Sequence, residues 1–451
     1  MSNEPKNDDK PAWSLREVAP ADLAKIVKKH QMWRLSRAGG ARADLKMCEL
    51  SHQMLANVDL SQAELTGARL AGADLSGAKL VAAIMFGADF SKARLIGADL
   101  SRADIRGATL RGANLTNAIV VDADLRDGML FRAARDGGLT VMNNESAATE
   151  MTNAVVRNAN LTDSKLSNSF VSQTDFTDAI MKNVKLIRAD LSNSNLTGTN
   201  LEGADLSDAN LSGAILHGAI LRSCVLNGAN LKGADLCGAL IDSVDMSKVS
   251  LVDAKMPRSI DSLGAPLQAL LREHLEWLKS GGATGKRLDF SRVDLRGQNL
   301  SQVDMSAGDL SYAILADGKL ANCSLVMANL SFCDLRGADL SFADLRGANF
   351  TRANFTSAQL VKARMDMVNI SSTTVHHWPT KAESAKFDRA NLAGALLTGA
   401  QLASASFISA ILTEADVKRA NLQDAVFTNA DTRGAKFDAA DLRGVIDLRT
   451  D

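Results

Sequence analysis

Residues 68–100 read ARLAGADLSGAKLVAAIMFGADFSKARLIGADL. An apolar residue returns at every fifth position, Leu70, Leu75, Leu80, Met85, Phe90, Leu95 and Leu100, and two residues before each stands a small one, most often Ala, as at Ala73, Ala88 and Ala98. A period of five fits neither the 3.6-residue rhythm of a helix nor the two-residue rhythm of a plain strand. Within one unit the apolar residue and the small residue two before it point the same way, as in an extended segment. The residue between them points outward and is usually Asp or Asn, as at Asp74, Asp99 and Asn114. The next two positions, often Ser, Thr or Arg followed by Gly, suit a tight corner, because Gly accepts positive φ and polar side chains stay in water. A unit is therefore a short flat side and a bend, and it buries nothing until it stacks on its neighbours.

The rhythm runs through residues 45–130, 156–256, 290–370 and 387–442. The pattern A-(D/N)-L-X-X, repeated dozens of times, resembles the pentapeptide-repeat family. That resemblance implies an all-β-dominated fold, a right-handed quadrilateral β-helix with four units to a coil and Leu or Phe packed inside beside the small residue. About 17 coils spaced ~4.8 Å apart would give roughly 80 Å of solenoid. Phe387, Phe407 and Phe427, twenty residues apart, are expected to form an internal aromatic stack, and Phe437 is read as interior rather than as a dimer contact.

Two interruptions share a pattern that the repeats do not explain. Leu23, Ile26, Val27, His30 and Trp33 align with Leu267, Leu270, Leu271, His274 and Trp277, and both sets have the spacing of an amphipathic helix that stops at a Gly-rich loop. A solenoid's first coil exposes its core and unpaired strand edges, so an apolar helix laid across it is a sensible cap. The expected organisation is a disordered tail (1–15) followed by two helix-capped solenoids. The first covers 16–258 with a loop insertion at 131–155, where Asp136, Gly137 and Gly138 can turn a hairpin. The second covers 259–451 with an insertion at 371–386.

Composition narrows the function. Apolar residues make up 46% of the chain but aromatics only 4%, which fits many small similar layers. Charge is balanced, 51 Lys plus Arg against 52 Asp plus Glu, so long-range attraction to nucleic acid or to an anionic membrane gains no support. No signal-peptide h-region and no run of about 18 apolar residues is present, and a cytoplasmic location is expected.

Catalytic chemistry is not expected either. The outward carboxylates interchange with Asn, which argues against acid or base work. Cys48, Cys224, Cys323 and Cys333 take the inward small position, Cys237 is read as outward, and no CxxC or Cys/His cluster suggests a metal. His30 and His274 are read as packed or hydrogen-bonded, and His376 and His377 lack further ligands. Residues 280–287, SGGATGKR, lack the first Gly of a phosphate-binding loop and follow a helix, so they read as a cap loop. No cofactor is expected, and no convergent polar set marks an enzyme site between the solenoids.

The chain is therefore expected to be a non-enzymatic, bacterial-type protein-interaction scaffold with an unidentified protein partner; secretion by a non-classical route and a homodimer are further options. With twenty-residue coils, Arg292, Tyr312, Phe332 and Arg352 form one outward column with the residue types of interface hot spots, or else a column satisfied by its own stacking. The alternative function is a DNA-mimicking inhibitor that binds DNA gyrase or topoisomerase, as some members of the family do. Those members look strongly acidic and shorter, whereas this chain is near neutral.

Overall fold

The computed structural model describes residues 15–129, 131–133, 139–141, 147–371 and 375–449, so the expected tail lies outside it but for Leu15. The chain divides into two compact units, Met1–Lys255 and Met256–Asp451.

In both units the five-residue rhythm becomes a parallel β-helix whose period is twenty residues. Asp74 bridges Arg94 and Arg94 bridges Asn114; in unit 2, Asp294 bridges Ile314 and Ile314 bridges Asp334. Each five-residue repeat contributes one such bridge to the coil on either side. Leu75 N–H donates to the Arg94 carbonyl (2.7 Å) and Arg94 N–H to the Ala73 carbonyl (2.9 Å), while Ala78 N–H closes the corner on the Leu75 carbonyl (3.0 Å). The third residue of that turn, Gly77, has φ 65°, the left-handed value that a type II turn needs there. The Leu and Ala positions are buried along the body of each unit, as at Leu75, Ala78, Leu340 and Ala343, and become half-buried or exposed at its end, as at Leu251 and Leu442.

The outward Asp and Asn do more than meet solvent. Asp74 Oδ1 accepts from Ser76 N (3.0 Å) and from Ser76 Oγ (2.6 Å), and Asn114 Oδ1 does the same for Thr116. Both residue types supply the one oxygen this turn requires, which is why they interchange. Where Arg follows at the corner, the clamp becomes bidentate: Arg106 reaches both oxygens of Asp104 at 2.8 and 2.7 Å. Amide ladders tie successive coils, Asn230 to Asn210 to Asp190 in unit 1 and Asn349 to Asn329 to Asp309 in unit 2.

Each unit opens with the same device. In unit 1, β1 (Arg16–Glu17) pairs in parallel with β2 (Cys48–Glu49), and α1 (Pro20–Arg34) lies between them in sequence. Leu23 and His30 are buried in α1, and Ile26, Val27 and Trp33 are half-buried. In unit 2, β5 (Arg258–Ser259) pairs with β6 (Val293–Asp294), and α2 (Leu267–Lys279) buries Leu271 and His274. Leu271 joins the core with Leu288 and Phe290, while Leu267 and Leu270 pack against it and Trp277 is half-buried. The loop at 280–287 folds back on this helix: Thr284 N–H donates to Ser280 Oγ (2.9 Å) and Lys286 N–H to the Glu273 carbonyl (3.1 Å). Those donors are spent on the loop itself and on α2.

The insertions begin and end elsewhere than expected. In unit 1 the last regular core residue before the break is Leu125, and the coil resumes at Glu150, which bridges Thr109, not after residue 155. Between them β3 (Phe131–Ala133) and β4 (Leu139–Val141) pair antiparallel; Asp136, Gly137 and Gly138 lie outside the described residues. In unit 2 the coil stops after Met365 and resumes at Lys381, which bridges Asn349, so the insertion precedes the expected 371–386. Ile370, read as a repeat position, belongs instead to β7 (Val368–Ser371), which pairs antiparallel with β8 (Val375–Trp378). The physical reason is the same in both: a buried Thr staples the break shut. Thr149 Oγ1 donates to the Arg126 carbonyl (2.9 Å) and accepts from Gly107 N–H (3.0 Å); Thr380 Oγ1 does so with the Asp366 carbonyl (3.1 Å) and Gly347 N–H (2.9 Å). Thr380→Val keeps the shape but strands a buried N–H, so a loss of about 1–3 kcal/mol is expected in urea unfolding, with faster hydrogen exchange at Gly347.

Two further departures concern the end of unit 1. The rhythm is unbroken on paper to residue 256, but residues 241–246 leave the regular turn-and-bridge pattern and the inward Met246 and Leu251 are only half-buried. Cys237, expected outward, is buried. It occupies the corner that Thr177 and Thr197 occupy in earlier coils, and like them it turns back onto the Asx side chain two residues before, its N–H on Asp235 Oδ1 at 3.2 Å and its thiol bonded to the same carboxylate. The other four cysteines are buried as inward residues. The expected Phe stack is present: Phe387 to Phe407 at 5.0 Å and Phe407 to Phe427 at 4.8 Å, nearly coplanar in tilt. It continues across the insertion to Phe355 (4.7 Å), and Phe437 packs edge-on against Phe427.

Candidate functional site

The third residue of each corner turn is held at positive φ, where Gly, Asn and Asp are at ease and a bulky side chain is strained. Unit 2 places aromatics there three times: Tyr312 (φ 59°), Phe332 (φ 59°) and Phe342 (φ 60°). Tyr312 and Phe332, one coil apart, stack at 4.9 Å and 8°, and the Arg352 guanidinium sits over Phe332 at 6.0 Å. Arg292 stands on the same column one coil earlier, also at positive φ (62°). The structure thus brings Tyr312, Phe332 and Arg352 into contact, and part of their surface is spent on one another. Phe342, half a coil away, is 54% exposed with Lys362 above its ring at 5.8 Å.

A concave feature lies beside the second insertion. The β7–β8 hairpin rests on the corner of Gly347, where an added Cβ would come within 3.1 Å of Trp378 Cδ1 and of Val368 Cγ2. Beside it Asp366, Met367, His377, Leu396, Asp416 and Arg419 enclose a cavity of about 470 Å³. Sequence reasoning missed these residues, because they lie on different coils and come together only through the twenty-residue period plus the offset of the insertion. The usable signal was the phase shift itself, which puts Leu396 next to Arg364.

Titratable groups show structural bonding. Burial pushes the thiols of Cys224 and Cys323 up to about 12 and that of Cys333 higher still, so they are poor nucleophiles. Asp334 is almost fully buried, and burial raises its pKa although Arg336 clamps it. Asp74 is held below the usual carboxylate range by its bonds to Ser76. Among the described residues no group of His, Cys, Asp and Glu has an arrangement that could hold a metal ion, and no helix is long and apolar enough to cross a membrane.

A parallel β-helix of twenty-residue coils with small-plus-Leu interiors is a repeat architecture, and comparison with known proteins names it. The family model for pentapeptide repeats matches residues 43–80, 83–127, 157–193, 185–222, 219–256, 289–326, 328–366, 385–424 and 420–446. The chain belongs to the pentapeptide-repeat family, whose members fold as right-handed β-helices. The matches leave out α1, α2 and both insertions. No curated protein matches the chain. Among solved structures it is similar to HetL, a pentapeptide repeat protein involved in heterocyst differentiation regulation from the cyanobacterium Nostoc sp. strain PCC 7120 (23% identity, 76% of this chain and 89% of that one, TM-score 0.19). It is also similar to Rfr23 of the cyanobacterium Cyanothece 51142 (26%, 33% and 86%, TM-score 0.19) and to QnrB1, a plasmid-mediated fluoroquinolone resistance protein (17%, 52% and 96%, TM-score 0.25).

Proposed function

We propose that this chain is a non-enzymatic protein-binding scaffold, built as two capped, four-sided solenoids, whose contact residues include the aromatic corners of unit 2. The observation that carries the reading is the placement of the aromatic side chains of Tyr312, Phe332 and Phe342 on outward corners, Phe342 being 54% exposed. Their left-handed φ is common to this corner position, which Lys92, Arg102, Met327, Lys362 and Glu414 occupy at φ 55–58°. Tyr and Arg are typical of interface hot spots. The column of Arg292, Tyr312, Phe332 and Arg352 and the more exposed Phe342 are the surfaces to test.

The test is affinity purification of the tagged protein at native level from its own cells, with mass spectrometry of what accompanies it. Changing Tyr312, Phe332 and Phe342 together to Asn is expected to leave thermal stability equal or higher, since Asn is at ease in the left-handed region, while recovery of partners falls at least about tenfold. Unchanged recovery with an intact fold would discard these corners as the site. The gyrase-inhibitor alternative is the less favoured reading, because the chain is near neutral and the Asp side chains at residues 104, 124, 294, 344, 431 and 441 are each paired with an Arg two residues on, which offsets their charge at those corners.

A further inference from the structure

Phe342 stands half a coil from the Tyr312–Phe332 column and belongs to a different surface. Its corner and that of Gly347 are consecutive, with Asp344 as the outward residue between them. On Gly347 rest three side chains: Trp378 Cδ1 and Val368 Cγ2 of the β7–β8 hairpin lie 3.1 Å from the place of an added Cβ, and Met327 Cγ of the preceding coil 3.3 Å from it. One side of the coil is therefore framed by Phe342, 54% exposed, on one edge and by Trp378 (45%) and Met327 (37%) on the other. Three extended residues separate the edges, roughly 10 Å.

Each exposed aromatic ring carries an exposed lysine. Lys362 Nζ lies 5.8 Å from the centre of the Phe342 ring, and Lys381 Nζ is 5.8 Å from that of Trp378. A ring attracts a cation without neutralising it, and among the described residues neither lysine is ion-paired with a carboxylate. The acids of this side are already spent. Asp344 is held by Arg346 at 2.8 and 2.6 Å, and Asp366 Oδ2 accepts from Arg364 Nη2 at 3.3 Å. What remains is a pair of apolar edges and two uncompensated positive charges, above a floor whose own charges cancel.

We infer that this side of unit 2 receives an acidic, extended segment of a protein partner, its bulky apolar residues lying between Phe342 and Trp378 and its carboxylates meeting Lys362 and Lys381. A basic segment would meet both lysines with like charge, and a purely apolar one would strip them of water with nothing in return. The inference deepens the scaffold reading of Phe342 and rests on it.

The test is fluorescence anisotropy with the full chain and a fluorescein-labelled peptide amide, Glu-Asp-Phe-Asp-Leu-Glu-Asp. Saturable binding below about 1 mM is expected at low salt, with the peptide carrying Gln and Asn for Glu and Asp at least about tenfold weaker. Lys362→Glu combined with Lys381→Glu should weaken the acidic peptide at least about tenfold and Phe342→Asn about fivefold, whereas Tyr312→Asn should leave it unchanged. Phe342→Asn, at a corner where Asn is at ease, keeps the test decisive if the lysine pair does not fold. Absence of saturation to about 1 mM, equal affinity for the amide peptide, or equal affinity in the double lysine variant would each overturn the assignment. So would tighter binding of oligouridine or of phosphatidylserine vesicles at the same lysines. A peptide that fails to bind leaves partner recovery through Tyr312 and Phe332 untouched, so the two readings fail separately.

Discussion

Phe407→Ala is expected to destabilise unit 2 by about 3–5 kcal/mol, the range for deleting a fully buried Phe from a core that relaxes only partly. Phe407 has no exposed surface and lies between Phe387 and Phe427 at 5.0 and 4.8 Å, so its removal breaks the stack at its middle and leaves a cavity between two coils. Leu occupies the equivalent place in most units, so Phe407→Leu should cost much less, about 1–2 kcal/mol, chiefly the two ring contacts. A solenoid's stability is close to a sum of coil and neighbour terms. The loss should therefore be local: hydrogen exchange should accelerate in the coils around residues 387–427 while unit 1 keeps its protection. A uniform change across both units, or an Ala variant no worse than the Leu variant, would show that the stack is not the local source of stability.

That this stack could be foreseen at all says which part of the molecule is legible in its sequence. A residue that must face inward every fifth position leaves a periodic trace, so the interior Leu, Ala and Phe and the twenty-residue coil follow from counting. The helices α1 and α2 were legible for the same reason, since Leu23, His30 and Trp33 recur as Leu267, His274 and Trp277 at matching spacing. What could not be counted was pairing that depends on a single atom. Thr149 and Thr380 look like any other Thr until their hydroxyls are found closing an insertion, and this is why both breaks were misplaced by several residues. Asp235 betrays nothing of its hold on Cys237, and β1 and β5 are two-residue strands whose partners lie thirty-odd residues on. The hairpin cavity was hidden most completely, because Asp366 and Asp416 are brought together by coil geometry that the insertion itself displaces.

Acidification should loosen the caps before it attacks the coils. His30 has no exposed surface; its Nδ1 accepts the Ala43 N–H at 3.0 Å, which fixes the proton on Nε2, and Nε2 faces the Ser61 carbonyl at 3.0 Å. His274 Nδ1 likewise accepts the Leu288 N–H at 3.1 Å, though its Nε2 has no hydrogen-bond partner, and Trp33 and Trp277 stack on the two rings. A second proton would have to enter at Nδ1, where it destroys the only acceptor for a buried N–H. Burial lowers both pKa values, against the opposing carbonyls of Ser61 and Ser306; Asp59 and Asp304 also oppose it, while Arg34, Arg42 and Arg287 add to the depression. The folded state thus binds fewer protons than the unfolded one, so this stability is fully present above the unfolded His value of about 6.5 and is lost as pH falls from there through the folded pKa, about 1.4 kcal/mol for each unit of depression. Protection of the Ala43 and Leu288 amides should fall over that window, ahead of coil amides such as Leu75. In His30→Gln and His274→Gln the slope should vanish at the altered cap, at a standing cost of about 1–3 kcal/mol wherever the N–H loses its acceptor. A variant whose cap keeps the wild-type pH slope would place the proton uptake on the surrounding carboxylates instead.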